Sequence, residues 1–221
     1  MRPITLTVGP LTAGSANNIA QSQTPGAAGA LTLNGTTVVN GVAVLDHARR
    51  VLITTTDNTH TFTITGTSPT GTLLTEVVTS NGTNVQSALD YLTVTSIVIS
   101  GAASGAVTAG TNGVASSPWA RLDEWALPFV SIQCDVSGTV NYTVQSSMDD
   151  PNSPTNPVIP SAVAWINSPD TNAVAATGQI QTTFGGFNAY VALFPLWVRV
   201  LLNSGTGTVT TTVTQSGVAP Y

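Results

Sequence analysis

The chain reads as an all-β protein: two antiparallel β domains, sandwich or jelly-roll-like, with an extended N-terminal arm. Three observations carry that expectation. Thr, Val, Ile and Leu recur in short runs broken by Gly, Asn and Pro over most of the 221 residues, and branched side chains suit a pleated strand better than a helix, where their χ1 is restricted. Turn signals are closely spaced, as short antiparallel strands require. Only 7% of residues are charged and lysine is absent, against roughly 25% charged in an ordinary soluble domain. Surface polarity therefore rests on Thr, Ser, Asn and Gln.

Residues 1–30 are expected to form the arm, because "GPLTAGSANNIAQSQTPGAAGA" mixes small and amide residues without sustained periodicity. Residues 31–115 are expected to form the first β domain, with "LTLNGTTVVNGVAVLD", "RVLITTT", "HTFTITG", "TLLTEVVTS" and "YLTVTSIVIS" as strand material. Within it Phe62 and Ile64 share one face of a strand and Thr61, Thr63 and Thr65 the other, and "GTSPTG" makes a loop. The return strand alternates less cleanly, since Leu73 adjoins Leu74 and Val77 adjoins Val78. A short helix is predicted over 84–92, with Val85, Ala88, Leu89 and Leu92 near helical spacing and Asn84 as its cap. The small-residue stretch 101–118 reads as the joint to a second domain, with the boundary near residue 115.

Residues 116–221 are expected to form the second β-sandwich domain. In "SIQCDVSGTVNYTVQSS" a hairpin is predicted, with Ile132, Cys134 and Val136 on the buried face joined by Val140, Tyr142 and Val144 through the loop Ser137, Gly138 and Thr139. Cys134 is then a core residue. A second hairpin follows in "LWVRVLLNSGTGTVTTTVTQ", with Val198, Val200 and Leu202 opposite Trp197, Arg199 and Leu201. Its return strand echoes the first, because Gly207-Thr208-Val209 and Thr212-Val213 repeat Gly138-Thr139-Val140 and Thr143-Val144 at the same spacing.

The net charge of −5 and five scattered arginines argue against a nucleic-acid partner. A single cysteine excludes an intramolecular disulfide. The opening residues lack the apolar run of a signal peptide, and no stretch approaches the roughly 20 apolar residues of a membrane span, so synthesis in a cytoplasm and no membrane partner are expected. His47 and His60 have no second ligand at H-x-x-x-H spacing, although Asp57 lies three residues before His60. Adjacent acids Asp123-Glu124 and Asp149-Asp150 point to opposite sides of an extended strand, unlike the facing carboxylates of a glycosidase. Residues 147–157 read as an Asp-Pro turn in a surface loop. No catalytic, cofactor-binding or metal-ligating residue is assigned, and a non-enzymatic protein is expected. Trp119, Trp125, Trp165 and Trp197 offer either a sugar-stacking platform or large apolar contact area. With "SPWARLDEWALPF" as the densest such segment, Trp119, Arg121, Trp125 and Trp165 are the candidate subunit-contact residues.

The succession "TFTITGTSPTGTLLTEVVT", "VTSIVISGAASGAVTAGTNGVA", "VSGTVNYTVQSSMDDP" and "VRVLLNSGTGTVTTTVTQ" resembles small structural proteins of tailed-bacteriophage virions, over most of residues 50–216. The resemblance implies a virion component in many symmetric copies, made in the host cytoplasm: a capsid decoration or cement protein bridging neighbouring capsid subunits, or else a neck, collar, tail or fibre component. It implies self-association, as in a trimer, and contact with the major capsid protein or other virion proteins. A carbohydrate-binding host-attachment module is the reading from a different class.

Overall fold

In the computed structural model, which describes residues 3–122, 130–184 and 195–215, the chain is all-β and no α-helix occurs among the described residues. It divides into two compact units, Leu11–Ala115 and Met1–Pro10 with Ser116–Tyr221. Strand β1 (Ile4–Val8) belongs to the discontinuous unit. The continuous unit holds β2 (Ser15–Gln23), β3 (Gly29–Ala30), β4 (Val38–Val39), β5 (Val42–Thr55), β6 (Thr61–Thr67), β7 (Leu73–Thr79), β8 (Asn84–Gln86), β9 (Tyr91–Ile99) and β10 (Val107–Ser116). The chain then returns through β11 (Ala120–Arg121), β12 (Val130–Ser137), β13 (Val140–Ser147), β14 (Ile166–Asn167), β15 (Ile180–Phe184), β16 (Trp197–Gly205) and β17 (Thr208–Gln215).

The N-terminal residues expected to form an arm are strands instead. Strand β1 pairs antiparallel with β17 from Ile4↔Val213 to Val8↔Val209 and buries Leu6 and Val8. Strand β2 pairs with β10 and buries Ile19 and Ala20, while Asn18 Nδ2 donates to Thr111 Oγ1 at 2.8 Å. In β1 the alternation Ile4-Thr5-Leu6-Thr7-Val8 is a strand signal at odds with an arm; β2, with Ile19 adjoining Ala20 among polar residues, leaves no period to read, yet it too reaches a core. Buried Arg49 ties the ends of the continuous unit together, donating to Thr12 O at 2.9 Å and Asn112 O at 2.6 Å beside Asp46.

In the continuous unit the strands run β10-β5-β9-β6-β7, with β3 on β9 and both β4 and β8 on β5. Val51, Ile53, Phe62, Ile64, Ile97 and Ile99 are among its fully buried core. The 14-residue β5 changes partner along its length: Ala43 and Val44 face β9, whereas Leu52 to Thr54 face β8. Strand β7 ends the sheet and β8 pairs elsewhere, which leaves a seam where no ladder runs. Glu76 crosses it. Its carboxylate accepts the backbone N–H groups of Ala88 at 2.7 Å and Leu89 at 3.0 Å. The helix expected over 84–92 is therefore not formed. The competing partners explain this: 84–86 join β5 as β8, Ser87 Oγ accepts the Val51 N–H at 2.9 Å, and Glu76 takes the next two amides.

Strands β6 and β7 form the hairpin around the "GTSPTG" loop, in register from Thr61↔Thr79 to Thr67↔Leu73. The adjacent apolar pairs resolve by face. Leu74 and Val78 point inward, whereas Leu73 and Val77 stand exposed at 64% and 60%. Gly66 lies at a shift in the β6–β9 register, where a Cβ would collide with Thr93 O and approach the Tyr91 ring to 2.8 Å.

The discontinuous unit contains a four-stranded sheet, β1-β17-β12-β15, and a second sheet in which β14-β13-β16 are neighbours and β11 pairs β16. At 132–144 Ile132, Cys134, Val140, Tyr142 and Val144 are buried as expected, whereas Val136 is half-buried and Thr143 and Gln145, on the opposite face, are buried as well. The two hairpins do not form. Strand β12 pairs with β17, Cys134 facing Thr211 and Val136 facing Val209, while β13 pairs with β16. Each predicted hairpin is an arch that carries the chain from one sheet to the other. A period of two reports which face is buried, and it is the same whether the next strand lies beside or across the core. The arch tips sit together, because Thr206 and Gly207 N–H both donate to Thr139 O at 3.0 and 2.9 Å, and Gly138 turns the chain at φ +80°. The echoed sequences are thus the exits of two arches of opposite direction.

Candidate contact site

The site lies on the face of β13 and β16 that points away from Val198, Val200 and Leu202. Alternation along β16 puts Trp197, Arg199 and Leu201 there, and β11 is held beside it by the Ala120↔Val198 and Arg121↔Trp197 pairs. A polar row crosses the strands beneath the rings. Arg199 Nε donates to Gln145 Oε1 at 2.9 Å, and Gln145 Nε2 donates to Asn167 Oδ1 at 2.9 Å. Arg199 is buried, and its guanidinium carbon lies 4.3 Å from the Trp165 ring centre. Trp119 meets Trp165 edge-on at 5.0 Å and 68°, and Trp197 at 6.0 Å and 71°. Arg121 covers the Trp197 ring at 5.7 Å. A desolvated cation over an aromatic face contributes about 2 kcal/mol, so the Arg199–Trp165 stack is also a structural anchor.

Of the candidates read from the sequence, Trp119, Arg121 and Trp165 come together here, and Trp125 lies outside the described residues. Trp197 and Arg199 complete the group. Arg199 was legible only as a charge on a strand face. The rings are not coplanar, and arginines occupy a face of Trp165 and of Trp197. This geometry is an anchor with a basic rim, unlike the flat platform on which sugar rings stack.

At the rim Arg121 is 48% exposed, 3.7 Å from Asp150. Ala164 and Ile166, which flank Trp165 in the chain, line a depression of about 270 Å³ with Met148, Pro169 and Pro195. Met148 and Ile166 are exposed. Asp149 accepts the Ala164 N–H at 2.7 Å, and Asp150 accepts the Asn152 N–H at 2.9 Å in a turn closed by Ser153 N–H to Asp150 O. Both acids are thus engaged in shaping the loop, in the manner of the Asp-Pro turn. Asp123 and Glu124 lie outside the described residues.

A second polar cluster sits in the continuous unit. Asp57, fully buried, accepts from Thr59 N–H, His60 N–H and Ser80 Oγ on one oxygen, and from His60 Nδ1 at 2.8 Å and Ser104 N–H at 2.9 Å on the other. The Ser104 and Thr59 amides and the His60 ring hold its carboxyl far below the usual carboxylate range. The His60 ring packs against Gly101, where a Cβ would collide with Nε2. The cluster ties the loops at 57–60, 80 and 104 together. Cys134 is fully buried with Sγ 3.3 Å from Thr211 Oγ1, and burial pushes its thiol up. Among the described residues no group of three His, Cys, Asp or Glu side chains is placed to hold a metal ion.

The molecule these features define is an all-β protein of antiparallel sheets with a tryptophan–arginine anchor. No protein-family model, curated protein or solved structure matches the chain.

Proposed function

We propose that the chain is a non-enzymatic structural protein of a tailed-phage virion, a capsid decoration or cement protein that self-associates and bridges neighbouring capsid subunits. One observation carries the reading: two rows on the outward face of the continuous unit's sheet hold no charged residue and expose apolar side chains. Register places Val44, Thr93, Thr67 and Leu73 in one row and Val98, Thr63 and Val77 in another. Val44, Leu73, Val77 and Val98 are all exposed. Hydroxyls and methyls lose little solvation on burial compared with charges, which suits rows of this composition to packing against a neighbour. The Trp119 and Trp165 anchor, with Arg121 at its rim, adds the residue types that dominate interface energetics.

A protein that binds only the closed shell raises the free energy of opening it, by mass action. The major capsid protein is the partner in this reading. The test is heat-induced opening of particles lacking the protein, with add-back of wild type or of a Leu73→Glu, Val77→Glu double variant. Add-back of wild type is expected to raise the opening temperature and the double variant to fail. Particles that open at one temperature with and without the protein would refute the reading.

A further inference from the structure

We propose that the outer face of the four-stranded sheet in the discontinuous unit binds a neutral polyhydroxylated ligand, a short stretch of an uncharged oligosaccharide. The inference does not rest on the virion reading. Strands β15, β12 and β17 turn Gln181 and Thr183, Ser131 and Gln133, and Thr212 and Thr214 to this face, in the rows Thr183–Ser131–Thr214 and Gln181–Gln133–Thr212. With Ile132 and Thr182 they line a depression of about 320 Å³, at the small end of the roughly 300–1,000 Å³ of ligand sites.

The amides there are oriented before any ligand arrives. Gln133 Nε2 donates to both oxygens of Asp135, at 3.1 and 3.0 Å, which fixes its Oε1 toward Gln181. Gln181 Nε2 donates to that Oε1 at 3.0 Å, so Gln181 Oε1 is left as an acceptor aimed away from the relay. A carboxylate offers only acceptors, and an amide that donates on one side accepts on the other, so the chain of three side chains has one direction. Beside it the hydroxyls of Ser131, Thr183, Thr212 and Thr214 each donate and accept. Paired donors and acceptors with no cation and no aromatic ring among the lining residues match sugar hydroxyls, the threonine methyls and Ile132 between them suit a sugar's C–H faces, and no charge is present among them to hold a phosphate or a sulfate. Asp135 is a positioning residue, acting through Gln133.

The full-length chain is titrated calorimetrically with maltohexaose, cellohexaose, laminarihexaose and chitohexaose, and with hyaluronan hexasaccharide as the anionic control. Saturable binding of at least one neutral hexasaccharide below about 10 mM is expected, with the Gln133 and Gln181 side-chain amide resonances moving on titration. Gln181→Ala and Thr212→Val are each expected to weaken it by about threefold to tenfold, the loss of one or two hydrogen bonds. Asp135→Asn should weaken it similarly and disperse the Gln133 amide signals, with circular dichroism unchanged. The proposal is overturned by the absence of neutral-glycan binding, by tighter binding of hyaluronan, or by binding that survives both Gln181→Ala and Thr212→Val. A dimer that sediments as such and is broken by Thr212→Arg would assign the face to a second copy and overturn it equally.

Discussion

Replacing Glu76 with alanine tests the idea that a side chain, in place of a backbone ladder, closes the seam between β7 and the segment after β8. The carboxylate accepts the Ala88 and Leu89 N–H groups at 2.7 and 3.0 Å. A hydrogen bond to a charged group contributes about 1.5–3 kcal/mol when shielded. Glu76 is half-exposed, and solvent screening removes roughly half of that, which leaves about 2 kcal/mol for the pair. Glu76→Gln presents one carbonyl oxygen and one NH2 to two N–H donors, so about half of the stabilisation should return. Two readouts apply. Urea unfolding followed by circular dichroism should lose about 2 kcal/mol, and native-state hydrogen exchange at Ala88 and Leu89 should accelerate about thirtyfold in the alanine variant. A loss under about 0.5 kcal/mol with unchanged exchange at these two amides would show that the seam is held by the packing of Val85 and Leu89, and the clamp argument would fail.

Other substitutions probe other parts of the molecule. Gly66→Ala places a methyl against Thr93 O and the Tyr91 ring, and a loss of about 3 kcal/mol or more is expected in urea titration; a neutral substitution would mean that β6 and β9 can separate there without cost. Trp165→Ala removes the ring beneath which Arg199 is buried and should destabilise the protein by about 3 kcal/mol, whereas Arg121→Ala, half-exposed and 3.7 Å from Asp150, should stay within about 0.5 kcal/mol and weaken only docking. Equal losses in the two variants would contradict the division between anchor and rim. The depressed carboxyl of Asp57 sets a pH dependence: its contribution is fully present above the unfolded-state value near pH 4 and is lost as pH falls through the lower folded value. Acid titration of Asp57→Asn should therefore show a flatter stability profile below about pH 4 than wild type, and parallel profiles would exclude Asp57 as a source of acid sensitivity.

Strand composition and face were legible wherever apolar and polar residues alternate strictly, as at Phe62 and Ile64 or at Ile132, Cys134 and Val136. Partner choice was not. Alternation at 132–144 says that two apolar faces meet, and the fold meets them across a core, with β12 on β17 and β13 on β16. Of the N-terminal strands, β1 carried the same alternation, Ile4, Leu6 and Val8 against Thr5 and Thr7, in a stretch too short and too close to the Gly/Ala-rich segment to be read apart from it, whereas β2 was hidden because it buries the adjacent Ile19 and Ala20 and has no period. The helical spacing of Val85, Ala88 and Leu89 was a local signal overridden by tertiary partners for the same amides, supplied by Val51, Leu52 and Glu76 from distant strands. Of the contact site, the tryptophans were visible as residue types, and Arg121 as their neighbour. What could not be read was the row from Arg199 through Gln145, both buried, to exposed Asn167, because its members are far apart in sequence and join only when β13, β14 and β16 align.

Copy number in purified particles tests the central proposal most directly. Quantitative mass spectrometry against the major capsid protein should find on the order of hundreds of copies per virion, in fixed ratio to capsid subunits, as a symmetric surface lattice requires. About six or twelve copies per particle would place the chain in a neck or tail ring, and its absence from particles would contradict the virion reading altogether.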